Sequence, residues 1–130
     1  MSLFTLPRRV LGMLCIAFLS FSFSPVTNEV ISAIRSGDAV RISKHLDEVV
    51  RITVDGKSHA YGKGQGEMIL RNFFADRAVR QFSVVQKGSV NDTEFFVGEL
   101  ILEDESRYRM SVFMKERAGR KNIQEIRMEP

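Results

Sequence analysis

The chain has 130 residues, 44% apolar and 27% charged, with nine glycines and three prolines. That composition suits one globular domain and excludes whole-chain disorder, a collagen-like or linker-like protein, and two cores of ordinary size. The pI of about 9.3 looks basic, but the formal charge is only +3, thinner than the basic face that nucleic-acid binding uses.

Residues 1–22 predict an export signal. Arg8 and Arg9 make a positive start, and Val10–Phe23 is an uncharged run of 14 residues. A bilayer span needs roughly 20 apolar residues, whereas this run has the length of a signal-peptide core. Ser20, Ser22 and Ser24 are small enough for cleavage, and a cut after Ser22 keeps Pro25 away from the new terminus. A twin-arginine signal fits less well, because Pro7 stands where Ser or Thr is usual. Cys15 lies inside the run rather than at its end, which argues against a lipoprotein. Arg8 and Arg9 are two of 19 basic residues, so 17 remain against 16 acids, about +1. Cys15 is the only cysteine, so the domain expected over residues 25–130 holds no disulfide, thiolate metal site or cysteine nucleophile. The expected location is the periplasm or the cell exterior, with no membrane span after signal cleavage and no nucleic acid as partner.

Thr27 is the expected N-cap of a first helix carrying Val30, Ile31 and Ile34. Gly37 should close it in the left-handed conformation, and Asp38 should cap a second helix. Ala39, Ile42, Leu46 and Val49 form an apolar stripe at helical spacing. The period then becomes two, with Val50, Ile52 and Val54 alternating against Arg51, Thr53 and Asp55. Asp55-Gly56 predicts a two-residue hairpin turn, since both of its positions need positive φ. That fixes the register: Val54 opposite Lys57, Ile52 opposite His59, Val50 opposite Tyr61. Directly opposed residues share a face, so His59 and Tyr61 should lie on the side that Val50 and Ile52 bury.

Gly62–Gly66 is expected as a flexible junction before a third helix, Glu67 to about Asp76, in which Ile69 pairs with Phe73 and Leu70 with Phe74. A glycine-rich entry to a helix is also a place where anions bind, but the phosphate-loop Gly-Lys-Ser or Gly-Lys-Thr is missing. Four strands follow, 79–87, 94–102, 107–115 and 122–129, with turns at Asn91-Asp92, 103–106 and Ala118-Gly119. In the second of these, Phe96, Leu100 and Leu102 occupy one face and Phe95, Val97 and Ile101 the other. A strand apolar on both faces is usually covered on both. The helices reach only one face, so the other predicts a homodimer through the sheet.

The order of two helices, hairpin, helix and four strands resembles the nuclear transport factor 2-like superfamily, also called SnoaL-like or cystatin-like. The residues that carry the resemblance are Tyr61-Gly62, the helix from Glu67 to Phe74, and the final block from Ile123 to Glu129. The stretch from Gly64 to Phe74 is similar to an uncharacterised family of exported bacterial proteins with that fold. The resemblance implies an α+β domain in which N-terminal helices pack against a strongly bent, mostly antiparallel sheet shaped as a cone. It implies no particular activity, because the superfamily hosts enzymes, binders and scaffolds alike.

His59 and Tyr61 are the ligand-pocket candidates, with polar tips on a face otherwise apolar. The leading expectation is a non-catalytic exported domain that binds a small molecule or an envelope protein in or beside the cone. The alternative is a small isomerase- or hydrolase-like enzyme using Tyr61 and His59, which would need a carboxylate base facing them. Asp47, Asp55, Asp76, Asp92 and Asp104 all fall at expected helix ends or turns, which counts against it. Lys115, Arg117, Arg120 and Lys121 surround a hairpin tip and, with Arg107, Arg109 and Arg127, are candidates for binding an anionic partner. His45 and His59 are too few for a three-ligand zinc site, so no metal and no cofactor is expected.

Overall fold

The computed structural model describes residues 24–130. The predicted export signal, residues 1–22, lies outside the described residues. Helix α1, Pro25–Arg35, is capped one turn earlier than expected, by Ser24, whose Oγ accepts from the Thr27 N–H. Pro25 explains the shift, since its fixed φ and missing N–H suit the first helical turn. Thr27 is instead a buried side chain, donating from Oγ1 to Glu94 Oε1 at 2.7 Å. Gly37 takes the left-handed conformation at φ +62. The Asp38 carboxylate accepts from the Arg41 N–H at 3.1 Å and caps helix α2, Ala39–Ser43.

The helical stripe running on to Val49 is corrected by the structure. Helix α2 is a single short turn of five residues, and strand β1 begins at Leu46 and runs to Val54. Leu46 and Val50 are both buried, four residues apart, within a strand. Residues four apart share a face in a strand as they do in a helix, so that spacing alone does not separate the two. Pairing with the last strand, Leu46↔Ile123 and then, after a bulge, Arg51↔Glu125, makes this segment a strand. Val49, counted in the stripe, is 63% exposed.

The hairpin follows the expected register through Val54↔Lys57, Ile52↔His59 and Val50↔Tyr61. Asp55 and Gly56 at its turn have φ of 51 and 80. Strand β2, Lys57–Gly62, leads straight into helix α3, Lys63–Ala75. The expected junction is therefore the first turn of the helix. Gly66 faces β1, where an added Cβ would stand 2.9 Å from Val50 Cγ1 and 3.1 Å from Leu46 Cδ1. The missing side chain lets helix and strand meet closely, and that packing outweighs the poor helix propensity of glycine.

Strands β3 (Val79–Val90), β4 (Thr93–Leu102), β5 (Arg107–Arg117) and β6 (Arg120–Glu129) complete a six-stranded sheet in the order β2-β1-β6-β5-β4-β3. Among the described strands, only β1 and β6 pair in parallel. Register shifts at Val79/Gln81, Val84/Gln86 and Phe113/Met114 add to that in β1, and such bulges bend and twist a sheet. The inner face carries Phe82, Phe96, Leu100, Met110, Val112 and Ile126, closed over by Val30 and Ile34 of α1 and Leu70 and Phe74 of α3, all buried. On the outer face Phe95, Val97 and Ile101 are half-buried.

Candidate functional site

Burial within α3 divides its apolar residues. Leu70 and Phe74 enter the core, while Ile69 and Phe73 are half-buried and turn toward the β1–β2 hairpin. Between them lies an open cleft of about 510 Å³. Ile52 and Val54 of β1 form one wall, and Ile69, Asn72 and Phe73 of α3 form the other. Lys57, His59 and Tyr61 of β2 line the rim, with Asp55 at the hairpin tip and Arg77 beyond the end of α3.

The two ligand-pocket candidates, His59 and Tyr61, both line this cleft, as their register with Ile52 and Val50 demands. Their rings meet edge to face at a centroid distance of 6.0 Å. Their burial is slighter than expected: Tyr61 is half-buried and His59 exposed. The physical reason is that β2 is the edge strand of the sheet among the described residues. Among the described residues neither side chain has a hydrogen-bond partner, and the two touch each other through their rings. Asp55, the carboxylate of this cleft, sits in the turn rather than opposite Tyr61.

Arg77 and Asn72 are the site residues that sequence reasoning missed. The Arg77 guanidinium carbon lies 5.6 Å from the Phe73 ring centroid and 5.8 Å from that of Tyr108. Its Nη1 donates to the Tyr108 hydroxyl at 2.7 Å. That bond, with attraction from Asp104 and Asp55, holds Arg77 still more firmly charged. The Phe73–Arg77 spacing of four was a readable signal, but Tyr108 comes from β5 and only the fold brings it there.

Of the basic candidates, Lys115, Arg117 and Arg120 share one face of the β5–β6 hairpin and Lys121 lies on the other. Lys121 Nζ is ion-paired to Glu94 Oε2, while Arg117 Nη1 reaches Asp47 Oδ1 at 3.3 Å. Arg107 pairs with Glu99, and Arg127 lies near Glu125 and Glu129. Lys115 is exposed, and Arg117 and Arg120 together line a second hollow of about 380 Å³ with Lys63 and Asn122. Asp47, expected at a helix end, is in the β1 bulge instead and is 7% exposed, accepting also from Gln124 Nε2.

Two titratable groups reflect their packing. Burial pushes the Glu94 carboxyl up, but hydrogen bonds from Lys121 and Thr27 overcome this and hold it below the usual carboxylate range. Burial, helped by Lys63, Arg120 and Lys44 against an opposing pull from Glu29, keeps His45 below its ordinary value. Among the described residues no group of three His, Cys, Asp or Glu side chains is placed to hold a metal ion, and no helix is long and apolar enough to cross a membrane.

The model of the domain of unknown function DUF4783 matches residues 27–129, and the chain belongs to that family. No curated protein matches the sequence. Among solved structures, a DUF4783 family protein from Bacteroides ovatus ATCC 8483 is similar with a TM-score of 0.74 and 25% identity, over 78% of this chain and 91% of that one. A DUF4783 family protein from Bacteroides fragilis YCH46 gives a TM-score of 0.75 at 22% identity, over 83% of this chain and 98% of that one. A putative polyketide cyclase from Sinorhizobium meliloti gives 0.63 at 10% identity, over 82% and 94%, a likeness of fold alone. The fold is the nuclear transport factor 2-like α+β fold that the sequence resemblance implied.

Proposed function

We propose that this DUF4783 domain is an exported, non-catalytic binding domain that holds a small amphipathic molecule in the cleft between the β1–β2 hairpin and α3. The observation that carries the reading is the cleft itself: aliphatic and aromatic walls from Ile52, Val54, Ile69 and Phe73, with the polar tips of His59, Tyr61, Asn72 and Arg77 around them. Small-molecule sites have this size and this balance of apolar walls with a few polar groups. The absence of a held acid–base pair at His59 and Tyr61 supports binding over catalysis.

The export half rests on Arg8-Arg9 and the uncharged run after them. Mass spectrometry of protein from the producing cell's envelope should find residues 1 to about 22 removed, and an intact N-terminus there would refute it. We further propose a second copy as the partner of the outer sheet face. Phe95 and Phe113 pack there at a centroid distance of 5.9 Å, beside Val97 and Ile101. Around them Glu99 and Arg107, and Arg127 with Glu125 and Glu129, set both charge signs side by side. A two-fold axis brings such a surface against itself with opposite charges in reach.

The binding reading is tested with N-phenyl-1-naphthylamine, a neutral aromatic probe that fluoresces on entering an apolar site. Saturable binding at one site per chain is expected, lost in Ile69→Glu, which places a charge on the cleft wall. No saturable binding, or binding indifferent to Ile69→Glu in a folded protein, would overturn it.

A further inference from the structure

We infer that the ligand of this cleft carries an oxyanion, such as a carboxylate, on its apolar body, and that Arg77 receives that group. The inference rests on the proposed binding role of the cleft and names the chemical class that would fill it. The Arg77 backbone is anchored first: its N–H donates to the Phe74 carbonyl at the end of α3. The side chain then lies against two rings, Phe73 and Tyr108, which themselves meet at 5.1 Å and 78°. Tyr108 is 8% exposed, so this platform has a core residue as its base.

A guanidinium has five N–H donors in a planar fork. The Tyr108 hydroxyl takes one of them. No carboxylate lies within ion-pair distance of Arg77 among the described residues; Asp55 and Asp104 act on it only through their field. By contrast, the ion-paired arginines 41, 71, 80, 107, 117 and 127 each have a carboxylate partner. Arg77 is thus a cation fixed in place, opening on an apolar cleft, with donors left over. Fixing it in advance lowers the entropy lost when a ligand binds. A fork of parallel N–H groups matches the two oxygens of a carboxylate or similar oxyanion. The remaining charges in the cleft, Lys57 and Asp55, cancel to first order. The apolar walls would take the rest of the ligand, and the Phe73 ring would lie beside both parts.

The test pairs two probes with the same aromatic framework: 8-anilino-1-naphthalenesulfonate, which is anionic, and N-phenyl-1-naphthylamine, which is neutral. The wild-type protein should bind the anionic probe about tenfold more tightly, the worth of one charge-assisted hydrogen bond. Arg77→Gln should remove that preference, weakening the anionic probe more than the neutral one. Tyr108→Phe leaves the charge but frees the side chain, and should weaken the anionic probe alone by a few fold. Melting curves check that each variant folds. Should Arg77→Gln fail to fold, salt carries the test on the wild-type protein: added salt must weaken the anionic probe and spare the neutral one. If both probes bind equally, or if Arg77→Gln or salt leaves the anionic probe unaffected, the inference falls while the binding cleft stands. If neither probe binds, the cleft reading falls and takes this inference with it.

Discussion

Replacing Gly98 with Ala would stabilise an ordinary strand by about 0.5–1 kcal/mol, because glycine loses more backbone freedom on folding. In this protein the opposite sign is expected. A Cβ at position 98 would stand 2.3 Å from Cε1 and Cζ of Phe82 and 3.0 Å from the Ser83 carbonyl oxygen. Carbon atoms pack best at about 3.5–4.0 Å, so the Phe82 ring would have to retreat by more than about 1 Å. It has little room, being 3% exposed and set edge-on to Phe96 at a centroid distance of 6.2 Å. Overpacking of this kind costs about 1–3 kcal/mol, and the obstruction by both ring and backbone puts Gly98→Ala near 2–3 kcal/mol. With a total stability of about 5–15 kcal/mol and roughly 4–8 °C per kcal/mol for a domain this small, the melting temperature should fall by about 10–15 °C. Urea unfolding of a double-mutant cycle isolates the cause. Phe82→Leu removes the two offending ring atoms, so Gly98→Ala should cost at least about 1 kcal/mol less in that background. A Gly98→Ala protein as stable as wild type, or strictly additive effects, would refute the steric account of this close approach.

Gly64→Ala and Gly66→Ala should have opposite signs, though two residues apart on α3. Nothing lies within 4 Å of a Cβ at Gly64, so alanine there should add about 0.5–1 kcal/mol by helix propensity. At Gly66 the same methyl meets Val50 and Leu46 and should cost about 1–2 kcal/mol; equal shifts in urea midpoint would contradict the packing role of Gly66. The Glu94 carboxyl titrates below its ordinary value of 4.5 in the folded protein, so its contribution to stability is present above that pH and lost as pH falls through the lower, folded value. The urea midpoint of Glu94→Gln should therefore depend less steeply on pH in the acid range than that of wild type, and identical slopes would remove Glu94 from the account. Val97→Lys should shift the protein from dimer to monomer in sedimentation while leaving its melting temperature within a few degrees; a wild-type domain that is monomeric at tens of micromolar ends the proposal of a sheet-to-sheet dimer.

The parts of the fold that were legible are those set by local chemistry. Asp55-Gly56 needs positive φ at both positions, and that alone fixed which residues of β2 sit over Ile52 and Val50. It thereby brought His59 and Tyr61 to the cleft before any tertiary contact was known. The alternation in β4 likewise separated Phe96 and Leu100 from Phe95 and Val97. The parts that were misjudged are those where a distant partner overrides the local pattern. Leu46 and Val50, four apart, share a face in a strand as in a helix, and pairing with β6 is what makes their segment a strand. The glycines of α3 have the composition of a loop, yet Gly66 is in the helix because β1 packs against it. Neither override leaves a mark within its own segment.

The charged residues make the same distinction more sharply, and it bears on where function is sought. Lys115, Arg117, Arg120 and Lys121 are close in sequence, and that closeness made them candidates for one anionic partner. Arg117 lies opposite Arg120 and Lys115 opposite Asn122, so those three share one face and Lys121 alone turns to the other. Lys121 is paired to Glu94 beside the α1 cap, and Arg117 to the buried Asp47. Two of the four charges are already engaged within the fold. Arg77 stands alone in sequence, with no basic residue within two positions, and drew no notice for that reason. Yet the fold gives it two aromatic faces, one hydroxyl and, among the described residues, no carboxylate partner, at the end of an apolar cleft. What makes a cation available to a ligand is the lack of an internal partner together with a surface that holds it still. Both are properties of the folded chain: Lys115 and Arg120 share the first with Arg77 among the described residues, and the aromatic surface that holds the cation is found at Arg77.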